Sequence, residues 1–140
     1  MKFASQFFFY TYVGLVVAAG FWGAFINPYF DFRFLLGMEV SSLSDSQRIN
    51  LLSQYRFLRA LELGFGLFAL VFRKDIFTNR LFNTLFLIIM SLGILARLVS
   101  IFVDGTPNYW ALFFMIYELT GLVLIYWHTK KAQNLPAITS

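Results

Sequence analysis

The sequence predicts an all-α integral membrane protein: a four-helix bundle running up-down-up-down, with both termini in the cytoplasm. Three observations carry this reading. First, 59% of the 140 residues are apolar, only 13% are charged, and 19 are Phe, whereas a soluble domain carries about a quarter charged residues. Second, four apolar runs are each long enough, at about 1.5 Å per helical residue, to cross a hydrocarbon layer of about 30 Å. Third, Lys and Arg gather at alternate ends of those runs, a bias that sets orientation. With a mean hydropathy of +0.71, the chain is not a soluble globular domain, a disordered segment or a disulfide-knit secreted module. No period-two alternation suggests a barrel, so helices are the way for this backbone to satisfy itself in lipid. The chain reads as a single domain over residues 1–140.

The first span runs from Phe7 to Ile26. It follows Met1-Lys2 as a signal peptide would, but it has the length of a span, and Ala18-Ala19-Gly20 is a poor cleavage site, so it reads as a retained helix. Asn27-Pro28 stops it, because proline lacks an N–H and biases its predecessor away from helix. The stretch Tyr29 to Leu36 is aromatic, too short and too charged to span; it is expected to lie at the interface with its rings at headgroup level. Ser41 to Ser46 reads as a loop. Ser44 followed by Gln47 matches a capping box, so a helix is expected to start near Asp45 and continue to Phe72, with the second span from about Leu51. A short basic turn, Arg73 to Arg80, leads to the third span, about Leu81 to Val103. Asp104-Gly105-Thr106-Pro107 closes it. The fourth span is about Tyr109 to Trp127. Short turns make antiparallel neighbours. The tail from Ala132 to Ser140 is polar, contains Pro136 and is expected to fray.

Orientation follows from the basic residues near span ends. Six lie on the N-terminal side (Lys2, Arg73, Lys74, Arg80, Lys130, Lys131) and two, Arg33 and Arg48, on the other. The expected location is the cell's inner (plasma) membrane, N-in and C-in. Aromatic belts agree, with Trp22, Tyr29, Tyr109 and Trp110 outside, and Tyr126 and Trp127 inside.

The chemistry of the chain is sparse. It has no cysteine, which removes thiol catalysis, iron–sulfur ligation and thiolate zinc sites. A single histidine, His128, provides no pair for a metal. No glycine motif for phosphate binding or for a nucleophile elbow occurs. No cofactor is indicated. The net charge of +4 is explained by membrane orientation rather than by nucleic acid.

The informative residues are charged ones within the spans: Arg56, Arg59, Glu62, Arg97 and Glu118. Each costs at least about 2.5–3.5 kcal/mol near a bilayer centre. From the outer edge, helical rise puts Arg97 about 9 Å deep, Arg59 and Glu118 about 12–13 Å, and Glu62 about 16 Å. Arg59 and Glu62 also share one helix face. Arg59, Glu62, Arg97 and Glu118 are therefore expected to form one formally neutral cluster in the outer half of the bundle. Arg56, shallower, is expected to snorkel outward; Asp104, seven residues from Arg97, would extend the network at its mouth. Two readings stand side by side. The cluster either fixes helix register as a buried salt-bridge network or lines a pocket for a polar head group, an anion or protons. Gly14, Gly20, Gly64 and Gly66 are expected to allow close helix approach, and His128 to be a solvated interfacial residue.

Several short motifs carry a resemblance. These are Asn27-Pro28, Arg59-Ala60 with Gly64-x-Gly66, Ala96-Arg97-Leu98-Val99-Ser100, Asp104-Gly105-x-Pro107 and the mid-helix Glu118. The chain resembles small bacterial four-span membrane proteins known only as a domain of unknown function, similar in size and layout to the DoxX-like proteins. The resemblance implies a four-span bundle with Arg59, Arg97, Asp104 and Glu118 as signature positions, and no established activity, substrate or cofactor. Glu62 departs from that pattern. The functional expectation is a non-catalytic accessory or assembly subunit, its Phe-rich faces packed against larger membrane proteins in the lipid bilayer. The alternative is a binder or carrier of a small amphiphile, a quinone or lipid, whose head group meets Arg59 and Arg97. An enzyme ranks last.

Overall fold

A computed structural model describes residues 2–133, which are helical apart from short connections. The expected fraying of the C-terminal tail falls largely outside these residues. Helix α1 (Lys2–Phe21) continues into a π-helical turn (Trp22–Ile26) and ends at Asn27. Asn27 then caps α2 (Pro28–Leu35), its side chain accepting from the Phe30 amide at 3.3 Å. Proline suits this first helical position because its missing N–H would have no partner there anyway. After a 3₁₀ turn (Val40–Ser42), α3 runs from Asp45 to Val71. The capping box is formed as read: Gln47 N donates to Ser44 Oγ at 3.4 Å and Ser44 N to Gln47 Oε1 at 3.3 Å. The stretch expected to be a basic turn is instead a short helix, α4 (Arg73–Thr78). Asn79 caps α5 (Arg80–Val103), and Asn108 caps α6 (Tyr109–Gln133), accepting from the amides of Leu81 and Ala111.

Three helical segments are long and apolar enough to cross a membrane: Lys2–Ile26, Arg80–Val103 and Tyr109–Lys130. The fourth expected span does not join them. Residues 51–72 are largely the later part of the 27-residue α3, where Arg56, Arg59 and Glu62 interrupt the apolar run.

Helix α1 lies between α3 and α6, and α5 packs on α6 and α4. The crossings are antiparallel, since Gly20 meets Arg59 and Leu63 while Val17 meets Gly66. The α5–α6 pair is antiparallel too, through Asn83 with Thr129 and Arg97 with Glu118. A Cβ on Gly20 would sit 2.8 Å from the Leu63 amide nitrogen, and one on Gly66 would sit 2.6 Å from Val17 Cγ2. These two glycines set the α1–α3 approach. The same role expected of Gly14 and Gly64 is not found, because both face open space.

The core is small: Phe9, Val13, Ala69, Ile76, Phe86, Met90 and Ile125. It sits towards the α4 end, where Phe65 stacks on Phe86 and Phe72 on Phe82, joining α3 to α5. Away from it, many large apolar side chains face outward. Helix α5 leaves Leu81, Leu85, Ile88, Leu92, Leu95, Val99 and Phe102 exposed. Steps of three and four make these a single stripe along the helix. A stripe of this kind is costly in water and suited to lipid.

Candidate functional site

The charged residues gather in two centres. The first begins with spacing. Tyr55, Arg59 and Glu62 are four and three residues apart, so α3 presents them on one face. The far wall comes from α2, which buries Asp31 and Phe32. Arg59 Nη1 donates to Glu62 Oε2 at 2.6 Å, and Nη2 lies 3.2 Å from Asp31 Oδ2. Arg59 Nε donates to the Tyr55 hydroxyl at 2.8 Å, and that hydroxyl donates to Asp31 Oδ2 at 2.8 Å. The Phe32 ring covers Tyr55 at 4.5 Å. Gly23, in the π-helical turn, makes room: a Cβ there would lie 2.7 Å from Arg59 Cγ and 2.9 Å from Asp31 Oδ2. The turn also leaves carbonyls at the end of α1 without intrahelical partners, and Arg56 Nη1 donates to one of them, that of Ala24. Arg56 thus reaches toward the end of the first helical run, beside the Arg59 centre.

The second centre joins α5 to α6. Arg97 Nη2 lies 3.6 Å from Glu118 Oε1, beyond ordinary hydrogen-bond length. Tyr12 on α1 lies within electrostatic reach of Glu62, Arg97 and Glu118, and Glu62 lies within reach of Glu118, so the two pairs are neighbours. Beside Arg97 is a pocket of about 140 Å³, lined by Ser100, Ile101, Pro107, Ala111, Leu112 and Met115. Asp104, expected to extend the Arg97 network, instead accepts from Ser100 Oγ at 2.9 Å. That hydroxyl is one turn back on the same helix, while the guanidinium reaches across to α6.

The structure thus places the four expected residues in two ion pairs, Arg59–Glu62 and Arg97–Glu118. Among the described residues no ion pair links one to the other. The first centre has a second carboxylate, Asp31, which the sequence reading passed over as part of an interfacial aromatic stretch. A signal was present: an acid three residues after Pro28, in a run otherwise rich in Phe. Tyr55, one turn before Arg59, and Gly23 were also missed.

A family model described as a domain of unknown function (DUF4345) matches residues 4–129. The chain belongs to this family. No curated protein and no solved structure matches it. The DUF4345 match includes every residue of both centres. Chemically the centres hold carboxylates, guanidinium groups and a phenol. They can orient helices and donate hydrogen bonds to an oxygen-rich group. Among the described residues, no three His, Cys, Asp or Glu side chains come together to hold a metal ion. His128 rests beside the Phe77 ring at 6.1 Å.

Proposed function

We propose that this DUF4345 protein is a non-catalytic integral membrane protein of the cell's inner membrane. It serves as an accessory or assembly subunit packed side-on against a larger membrane protein. In this reading α3, about 40 Å long, is the fourth crossing, with Arg59 neutralised by its neighbours. The bundle runs up-down-up-down with both termini cytoplasmic, as the basic residues favour.

One observation carries the partner. A ladder of aromatic rings climbs the surface from Trp22 through Phe30 and Phe34 of α2 to Trp110, Phe113 and Tyr117 of α6, then to Phe8 and Phe7 of α1. Rings 5.2–6.5 Å apart hold each other in place. Rigid, partly exposed aromatic side chains lose little entropy on docking and dominate binding energy at interfaces. The aliphatic stripe of α5 is the contrasting, lipid-suited face. A photo-crosslinking residue at Phe113 should give one discrete adduct with a larger integral membrane protein in native membranes, while one at Phe102 gives none. Equal labelling from both positions, or an adduct only with a second copy of the chain, would overturn the reading.

A second reading is favoured by a separate feature. The long Arg97–Glu118 contact beside a small, mainly apolar pocket suits the head group of an amphiphile such as a quinone or lipid. Loss of a co-purifying amphiphile in Arg97→Met, with the fold intact, is the result that would put this reading first.

A further inference from the structure

At the opposite end of the α5–α6 pair lies a groove of about 740 Å³. Arg80 and Lys130 stand at its mouth and Tyr126 beside them. Leu87 and Ile88 form an apolar wall, with Thr84 between. No acidic residue lines it. Its floor is fixed, because Asn83 Nδ2 donates to the Ile76 carbonyl at 2.9 Å and Thr129 Oγ1 to Asn83 Oδ1 at 3.2 Å. Other groups are uncommitted. Among the described residues Arg80 has no carboxylate partner, and the Thr84 hydroxyl makes no hydrogen bond. Among the described residues Lys130 has no carboxylate partner either; it donates to the Tyr126 hydroxyl at 3.2 Å and lies over that ring.

We infer that this groove holds the phosphate head group of an anionic membrane lipid. The inference rests on the membrane reading alone and not on any protein partner. Two uncompensated cations face a phosphate, where the charge-assisted bonds are strong. Thr84, one turn below Arg80, offers a hydroxyl to the glycerol–ester region, and Leu87 and Ile88 meet the start of an acyl chain. The arrangement has the form of a basic pocket between membrane helices. Loose surface attraction would need only charge. Here the cations are joined to a hydroxyl and an apolar wall in the order in which a lipid presents its own groups.

The test uses the full chain in nanodiscs of phosphatidylcholine with a minor share of phosphatidylglycerol. Native mass spectrometry reads which lipid the protein keeps. The wild type should retain one phosphatidylglycerol in preference to phosphatidylcholine. Arg80→Gln with Lys130→Gln should lower that preference at least about tenfold, as two basic groups near a headgroup allow. Arg73→Gln with Lys74→Gln, which removes the same charge outside the groove, should leave it unchanged. Thr84→Leu should weaken it without altering net charge. Equal loss from both double variants, or none from the groove variant, would overturn the inference. So would binding of soluble glycerol phosphate with no lipid preference. Helical circular dichroism and retention in the nanodisc verify the variants. A chain that leaves the nanodisc altogether would instead refute the membrane reading, so the two failures are distinguishable.

Discussion

The two charged centres each have one guanidinium facing one or more carboxylates, and they are built on different principles. Arg59 is closed in. Its side chain is 14% exposed, and it reaches Asp31, Glu62 and Tyr55 at 2.6–3.2 Å. Arg97 is 40% exposed and has one carboxylate at 3.6 Å. The difference lies in what surrounds them. Arg59 stands where α1, its π-helical turn, α2 and α3 converge, and Gly23 lets the backbone close over the guanidinium. Arg97 spans a single helix pair beside a pocket. Engagement of all three guanidinium nitrogens by neighbours on α2 and α3 marks a structural joint, because each hydrogen bond to a charged group contributes about 1.5–3 kcal/mol. A loosely held guanidinium keeps donors free.

The comparison breaks most readily at Arg59. Arg59→Met should destabilise the protein by about 3–5 kcal/mol, because it strands Asp31 and Glu62 without a counter-charge in apolar surroundings. Unfolding in a detergent titration, read by circular dichroism, measures it. The double variant Arg59→Met with Asp31→Asn should recover part of the loss, since one stranded charge is then gone. A loss below about 1 kcal/mol, the level of an exposed pair, would mean that the centre is not the joint described.

A smaller effect belongs to the glycine that admits the guanidinium. Gly23→Ala places a methyl against Arg59 and Asp31, and overpacking of this order costs about 1–3 kcal/mol. Gly14→Ala, with nothing within 4 Å of the added atom, should be neutral or slightly stabilising, as alanine is the better helix former. Equal effects in the same titration would show that Gly23 is not shaped to its neighbours.

How much of this was legible in the chain depends on distance along it. The α3 capping box and the stop at Asn27-Pro28 could be read, because each is decided within a few residues. The pairing of Arg59 with Glu62 was legible for the same reason, three residues apart on one helix. Whether the two guanidinium groups shared a cluster could not be read from depth alone. Depth fixes height in a bundle, but not which helices touch: α1 packs on both α3 and α6, and the four charges form two pairs, with Glu62 still within electrostatic reach of Glu118. Asp31 was hidden by its company: a carboxylate among phenylalanines reads as interfacial until α3 is known to bring Tyr55 and Arg59 to it. The π-helical turn at Trp22–Ile26 leaves no mark in hydrophobic pattern, so neither the role of Gly23 nor the carbonyl that holds Arg56 was foreseen.

The smallest expected effect sharpens the comparison most. Arg97→Met removes a guanidinium whose one carboxylate contact is at 3.6 Å, so the stability lost should be below that of Arg59→Met, which strands two carboxylates rather than one. Part of even this loss comes from Glu118, left without a counter-charge. Glu118→Gln should therefore restore most of the stability in the Arg97→Met background, as a neutral amide needs no partner charge. The same pair of changes separates stability from binding. If the pocket beside Arg97 takes a ligand, Glu118→Gln recovers the fold but not the ligand, since the lost donors were on the guanidinium. If Arg97 only braces α5 against α6, the double variant should differ from the wild type in stability alone. A cost of 3 kcal/mol or more for Arg97→Met alone would erase the distinction between the two centres.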